Sequence, residues 1–203
     1  MKDTYKTIGT PTKGILFKEK GSKFYGYAFP VITEDQIKAH LEAIKKEHHS
    51  ARHWCYAWQL GTEPIRYRAN DDGEPSNSAG MPIYGQLQAF DITNTLIIVV
   101  RYFGGVKLGV GGLIQAYKNT AKLTLETATI VEKVLTSEFI LSFAYPTMNT
   151  AMRIIKEQQL TIIRQQLELD CKITIAVRQK NAATIQKLFE NTYGISITVK
   201  DIN

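Results

Sequence analysis

Five glycines fall within nine residues, Gly104 to Gly112, in the stretch RYFGGVKLGVGGLIQAY that runs from Arg101 to Tyr117. An apolar run precedes them and a helical pattern follows. A glycine loop that delivers a strand onto a helix start leaves backbone N–H groups unpaired at the positive end of the helix dipole, which suits an anion such as phosphate. On this reading Gly104, Gly105, Gly109, Gly111 and Gly112 bring the backbone close to the phosphate, and Arg101 and Lys107 add charge. The alternative is structural: these glycines supply positive φ angles and a close helix–strand approach. The stretch is neither a Walker A loop nor a dinucleotide fingerprint, because no Gly-Lys-Ser/Thr triplet follows and the spacing does not match.

Three further groups carry chemistry. In NDDGEPSNSAG, Asp71, Asp72 and Glu74 cluster with Ser76 and Ser78. Three carboxylates can hold a hard cation or exchange protons, yet Asp-Gly and Glu-Pro are also turn dipeptides, with Ser76 or Ser78 placed to cap the next helix. In EHHSARHWCYAW, His49, His53 and Cys55 offer nitrogen and sulfur, but His-x-x-x-His shares a face only on a helix and HWCYAW reads as a strand. His53 and Cys55 share one strand face, as a thiol–imidazole nucleophile pair or as a buried structural pair. Finally, Lys20, Lys23, Phe24, Tyr25 and Tyr27, and again Arg66, Tyr67 and Arg68, interleave cations with aromatic rings, a pattern that can clamp phosphates and stack bases. Strand alternation sends half of these inward. Lys23 therefore joins the glycine-joint residues as a candidate phosphate contact, and His53, Cys55, Asp71, Asp72, Glu74 and Ser76 form a candidate cleft. No catalytic residue, cofactor or metal ligand set is assigned.

The elements that must position these residues are legible in the periodicity. GILFKEKGSKFYGYAFPVI reads as a β-hairpin turning at Gly21. TEDQIKAHLEAIKKEHH reads as a helix, with Thr33 and Gln36 at capping-box spacing and Ile37, Leu41 and Ile44 at helical intervals. A strand in HWCYAWQLG, the polar loop RANDDGEPSNSAG and a helix in MPIYGQLQAF follow. NTLIIVVRYF has the β-branched continuity of a buried central strand, and GLIQAYKNTAKLTLETA sets Leu113, Ala116, Tyr117, Ala121 and Leu125 on one helical stripe. After a boundary in IVEKVLTSE, a second unit begins. Strand EFILSFAY carries alternating Phe139, Leu141, Phe143 and Tyr145, and helix TMNTAMRIIKEQQ carries Met148, Met152 and Ile155. Two strands in LTIIRQQLELDCKITIAVR, a helix in NAATIQKLFENTYG and a last strand in ISITVKDI complete a ferredoxin-like β-α-β-β-α-β order. The expected domains are 1–134 and 135–203, and the class is α+β.

Composition bounds the function. A chain of 203 residues with 44% hydrophobic content can bury a core, and no apolar run approaches the roughly 20 residues of a membrane helix. The start MKDTYKTIGTPTKG lacks the basic-then-apolar layout of a signal peptide, so a cytoplasmic location is expected, with Cys55 and Cys171 as reduced thiols. The charge of +6 leans towards anionic partners, and it is spread: 17 basic and 13 acidic residues precede position 135, and 8 and 6 follow.

GSKF, HWCYAW, DDGEPSNSAG and RYFGGVKLGVGGLIQAY, in this order, resemble the YigZ/IMPACT family over roughly the first 130 residues, and the tail matches the extra C-terminal domain of its bacterial members. The family pattern falls on Ser22, Lys23 and Phe24, on His53, Cys55 and Tyr56, on Asp71 to Pro75, and on Arg101 to Gly112. Asn77 and Ser78 stand where members often have Gly-Thr, and Gln115 where many have arginine. The resemblance implies an N-terminal fold similar to the second domain of a ribosomal small-subunit protein, also seen in GHMP kinases, and a tail similar to the last domain of elongation factor G. It implies no established catalytic residues. Eukaryotic relatives modulate a starvation-responsive kinase that controls translation initiation by binding its activator protein, so the theme carried over is translation, with RNA, the ribosome or a ribosome-associated protein as partner and no membrane. The expected function is non-catalytic regulation. The alternatives are an enzyme acting on a phosphorylated or nucleotide substrate through the Asp/Glu loop and the glycine joint, and a protein-interaction module using the tail sheet.

Overall fold

The structure, a computed structural model, describes residues 3–200. The described chain forms two compact units, residues 5–133 and residues 3–4 with 134–200. Each mixes helix and sheet, which places the protein in the α+β class. Among the described residues no helix is long and apolar enough to cross a membrane.

In the larger unit, strands β2 (Ile15–Glu19), β3 (Ser22–Pro30), β4 (His53–Leu60), β5 (Arg66–Asn70) and β6 (Thr95–Tyr102) form one sheet in the order β2-β3-β6-β4-β5. Every neighbouring pair is antiparallel. β6 lies in the middle and is buried from Thr95 to Arg101, which is why its sequence runs apolar without alternation. Helices α2 (Gly80–Ala89) and α3 (Gly109–Glu126) cover one face, packing Ile83, Leu87, Leu113, Tyr117, Ala121 and Leu125 against Phe24, Cys55, Ala57, Ile97 and Val99. Helix α1 (Glu34–Glu47) covers the other with Ile37 and Ile44 against Tyr27, Trp58, Leu96, Ile98 and Val100.

α1 has the capping box that its sequence predicts. Gln36 N donates to the Thr33 hydroxyl, the Gln36 side chain accepts from Thr33 N, and Glu34 and Asp35 at the start oppose Lys45 and Lys46 at the end of the helix dipole. Three short strands escaped the sequence reading, β1 (Thr4–Ile8), β5 and β7 (Ile130–Val134). RYRAN forms β5, whose exposed arginines suit a sheet edge but give no apolar alternation to read. IVEKV, read as a domain boundary, supplies β7, which pairs with β1.

The smaller unit follows the expected β-α-β-β-α-β order: β8 (Thr136–Ala144), α4 (Met148–Glu157), β9 (Thr161–Gln166), β10 (Asp170–Arg178), α5 (Ala182–Glu190) and β11 (Ile195–Val199). Its antiparallel sheet runs β11-β8-β10-β9. Phe139, Leu141 and Phe143 enter the core with Ile154, Ile155, Ile173, Ile175 and Phe189. Tyr145 does not continue the alternation, because the strand ends at Ala144 and Tyr145 starts a 3-10 turn, 63% exposed. Met152 is 38% exposed, and Ala151 and Ile154 take the inward face instead. The last strand ends at Val199; Asp201 and Ile202, which ISITVKDI includes, lie outside the described residues.

Candidate functional site

The glycine joint begins where β6 leaves the sheet. A Cβ at Gly104 would fall 1.9 Å from the carbonyl carbon of Gly21, so the joint and the hairpin turn touch backbone to backbone. Gly104 N donates to the Ser22 hydroxyl at 3.3 Å. Gly109, which opens α3, has φ +70° with open space around it, so backbone conformation and not crowding selects glycine there. The structural role of the joint is therefore real, and it leaves the helix start available. Leu108 stands at the N-cap without a side-chain hydrogen bond, and the first turn of α3 contains no acidic residue. The first amides of a helix have no intrahelical acceptor, and in α3 they lie among the exposed Gly105, Lys107, Gly109 and Gly111. Gly112, half-buried, is crowded only by the Leu108 side chain of its own helix. Lys23 is also exposed and lies opposite Tyr102 in the β3–β6 ladder, one strand away from the joint.

Arg101 departs from the role expected of it. Its guanidinium is buried, with Nη1 donating to Glu74 Oε1 at 2.6 Å, and the two side chains are only 8% and 4% exposed. It also lies 5.7 Å from the ring centres of both Phe24 and Phe103. A cation committed this way is not free to meet a phosphate. The register of β6 explains the burial, because Arg101 pairs with Phe24 on one side and His53 on the other, inside the sheet.

The acidic loop is held together by the same logic. Asp71 Oδ1 accepts from Ala79 N at 2.9 Å and Gly80 N at 2.8 Å, and its Oδ2 accepts from Asn77 N at 2.9 Å. Asp71 thus caps α2 from eight residues away. The expected serine caps are not used: Ser78 is buried and donates to Pro75 O at 2.6 Å, and Ser76 is exposed. Asp72 Oδ2 accepts from Trp54 N at 2.7 Å, and Asp72 O accepts from His53 Nδ1 at 2.9 Å. A carbonyl only accepts, so Nδ1 of His53 carries the proton. Glu74 Oε1 accepts from Tyr117 Oη at 2.8 Å as well as from Arg101.

Cys55 lies beneath this loop, its Sγ 3.0 Å from Asp71 O and 3.3 Å from Tyr117 Oη. Burial pushes its thiol far above the ordinary range, with the nearby carboxylates Glu74, Asp72 and Asp71 adding to the shift. Burial likewise raises Tyr117, with Cys55 and Glu74 reinforcing it. A thiol kept protonated makes a poor nucleophile, and its partners are a carbonyl and a phenol, not His53. Both cysteines of the chain are buried free thiols.

His53, Cys55, Asp71, Asp72, Glu74 and Arg101 therefore do converge, around Tyr117, whose part in the network its helical stripe did not reveal. Ser76 stays outside. The convergence is a set of mostly paired donors and acceptors, the buried Arg101 Nε being left without a partner, and among the described residues no group of three or more His, Cys, Asp or Glu is placed to hold a metal ion.

Residues 20–125 match the Impact N-terminal domain. Over 135 residues the chain is 38% identical to the IMPACT family member YvyE of Bacillus subtilis (strain 168), a match that spans 66% of this chain and 62% of that protein. An IMPACT family member of Haemophilus influenzae is 30% identical over 174 residues, 84% of this chain and 84% of its own length. A crystal structure of a hypothetical protein is similar across 100% of this chain and 99% of its own, with a TM-score of 0.72 and 26% identity.

Proposed function

The chain belongs to the IMPACT family, and from that premise we propose that it is a non-catalytic, cytoplasmic regulator associated with translation that binds RNA, alone or as part of the ribosome. The observation that carries this reading is the exposed start of α3, where a helix dipole without a side-chain cap or an acidic first turn follows Lys107, with Lys23 facing Tyr102 just before the joint. α1 satisfies and neutralises its own start, and α3 does not. Backbone amides, a positive dipole end and flexible lysines together suit the phosphates of a nucleic acid backbone. The translation theme comes from the eukaryotic relatives that the family resemblance invokes. An enzyme working through Asp71, Asp72 and Glu74 draws no comparable support, since each of these carboxylates accepts hydrogen bonds that hold the fold.

The test is binding of the purified protein to ribosomes and to a short single-stranded RNA as salt is varied. Affinity should fall steeply with salt, and Lys107→Ala or Lys23→Ala should each flatten the log–log slope by about 0.7, the value for one phosphate contact on a single strand. An affinity that stays level from low to physiological salt would refute phosphate contact and redirect the search to a protein partner.

A further inference from the structure

On the face of the larger unit's sheet that α1 covers, a cavity of about 740 Å³ is lined by Lys13, Lys23, Tyr25, Tyr27, His48 and Tyr102, together with Phe103, which is 54% exposed. Its size falls within the range of small-molecule pockets, which typically present apolar walls and a few convergent polar groups. The polar groups here form a chain. Tyr27 Oη lies 2.6 Å from His48 Nε2, His48 Nδ1 lies 2.9 Å from Tyr102 Oη, and the Tyr27 hydroxyl reaches Glu47 Oε1 at 3.2 Å. Burial lowers the pKa of His48 while Glu47 opposes the shift, so the imidazole is neutral near pH 7 and donates from one nitrogen only. Hydroxyls and a ring nitrogen that can exchange donor and acceptor roles are suited to reading the edge of a planar heterocycle.

The walls are aromatic. Tyr25 stands 5.3 Å from the His48 ring and meets Tyr102 edge-on at 5.8 Å. A Cβ at Gly14 would lie 2.6 Å from Tyr27 Oη, so the chain passes directly over that hydroxyl and closes the cavity on one side. The charge at the opening decides between ligands. Lys13 and Lys23 are exposed against the single carboxylate of Glu47, which disfavours the quaternary ammonium groups that aromatic cages also take and favours a planar ring carrying an anion. The place of the cavity points the same way, because Phe103 precedes Gly104 and Lys23 faces Tyr102 across the ladder, so the cavity adjoins the glycine joint.

We propose that this cavity receives the base of a nucleotide, as one unstacked base of a single-stranded RNA whose backbone crosses the glycine joint. This rests on the RNA reading above for the source of the base and on the cavity itself for the pocket. The base stacks on Phe103 and Tyr25, its edge meets the Tyr27 and Tyr102 hydroxyls that His48 holds in place, and Lys23 meets its phosphate.

The experiment measures binding of the full-length protein at low salt to a labelled adenosine hexanucleotide and to an abasic ribose-phosphate hexamer of equal length. Wild type should bind the base-bearing strand about tenfold more tightly, the order expected for loss of one stacked base. Phe103→Ala and, independently, Tyr25→Leu should erase that preference, whereas Lys107→Ala should weaken both strands alike. Equal affinity of wild type for the two strands would overturn the base pocket and leave the phosphate contact standing. If neither strand binds, the RNA reading falls and a titration with AMP decides the pocket. AMP binding that Phe103→Ala abolishes would assign it to a free nucleotide, and no AMP binding would overturn it.

Discussion

Replacing Glu74 by alanine separates a structural strut from a ligand site. In the native protein Glu74 Oε1 accepts from Arg101 Nη1 and Tyr117 Oη, and all three side chains are buried. The substitution leaves a guanidinium out of water without a counter-charge and a phenol without its acceptor. Breaking a buried ion pair from one side costs about 3–5 kcal/mol, a large part of the roughly 5–15 kcal/mol that a domain possesses. Glu74→Gln retains an acceptor oxygen but removes the charge, and should cost about 1–2 kcal/mol, the difference between charged and neutral hydrogen bonds. The assay is urea unfolding followed by tryptophan fluorescence, which reports on the larger unit alone because the two tryptophans, Trp54 and Trp58, both lie in β4. With a slope of about 2 kcal/mol per molar urea, a 4 kcal/mol loss moves the midpoint by about 2 M. Arg101→Met combined with Glu74→Leu should recover most of that loss, because the pair matters chiefly when half of it remains. A Glu74→Ala midpoint within 0.5 M of wild type, accompanied by lost RNA binding, would refute the structural role and return Arg101 and Glu74 to the ligand.

Two further outcomes follow from the same geometry. Gly104→Ala should destabilise the larger unit by several kcal/mol, since its Cβ would meet the Gly21 backbone, whereas Gly111→Ala has open space, should stabilise by about 0.5–1 kcal/mol, and should weaken RNA binding by crowding the start of α3; equal midpoints for the two variants would contradict the packing at the joint. Because burial depresses the folded pKa of His48 below its ordinary 6.5, the unfolded chain takes up a proton first on acidification, so stability is full above about pH 6.5 and is lost as pH falls through that value towards the folded pKa. His48→Gln should reduce that slope in urea midpoints measured from pH 7.5 to 5, and a midpoint that rises on acidification would refute it.

The sequence disclosed those features whose signals are local. Thr33 and Gln36 announced a cap three residues apart, and the unbroken apolar run of β6 announced a strand covered on both faces. Features set by distant partners stayed hidden. Asp71 caps a helix eight residues ahead, which no spacing rule covers, and the nearer serines drew the expectation instead. Arg101 reads as a free cation in RYF, and its burial depends on a central-strand register and on Glu74, from a distant loop, meeting it there. His48 ends a helix with nothing in its neighbourhood to mark it, and its phenolic partners come from β3 and β6. Tyr145 shows the limit of alternation itself, since periodicity does not say where a strand stops.

The contact between Gly104 and Gly21 bears on the entropy of recognition. Most loops that close around an anion must first surrender backbone freedom, at about 1–2 kcal/mol for each residue fixed. Here the joint is fastened at its entry by two backbones in contact and at its exit by the first turn of an 18-residue helix. Much of that ordering is completed when the protein folds, so the RNA backbone proposed to cross the joint would meet a backbone already ordered and would retain more of the interaction free energy as affinity.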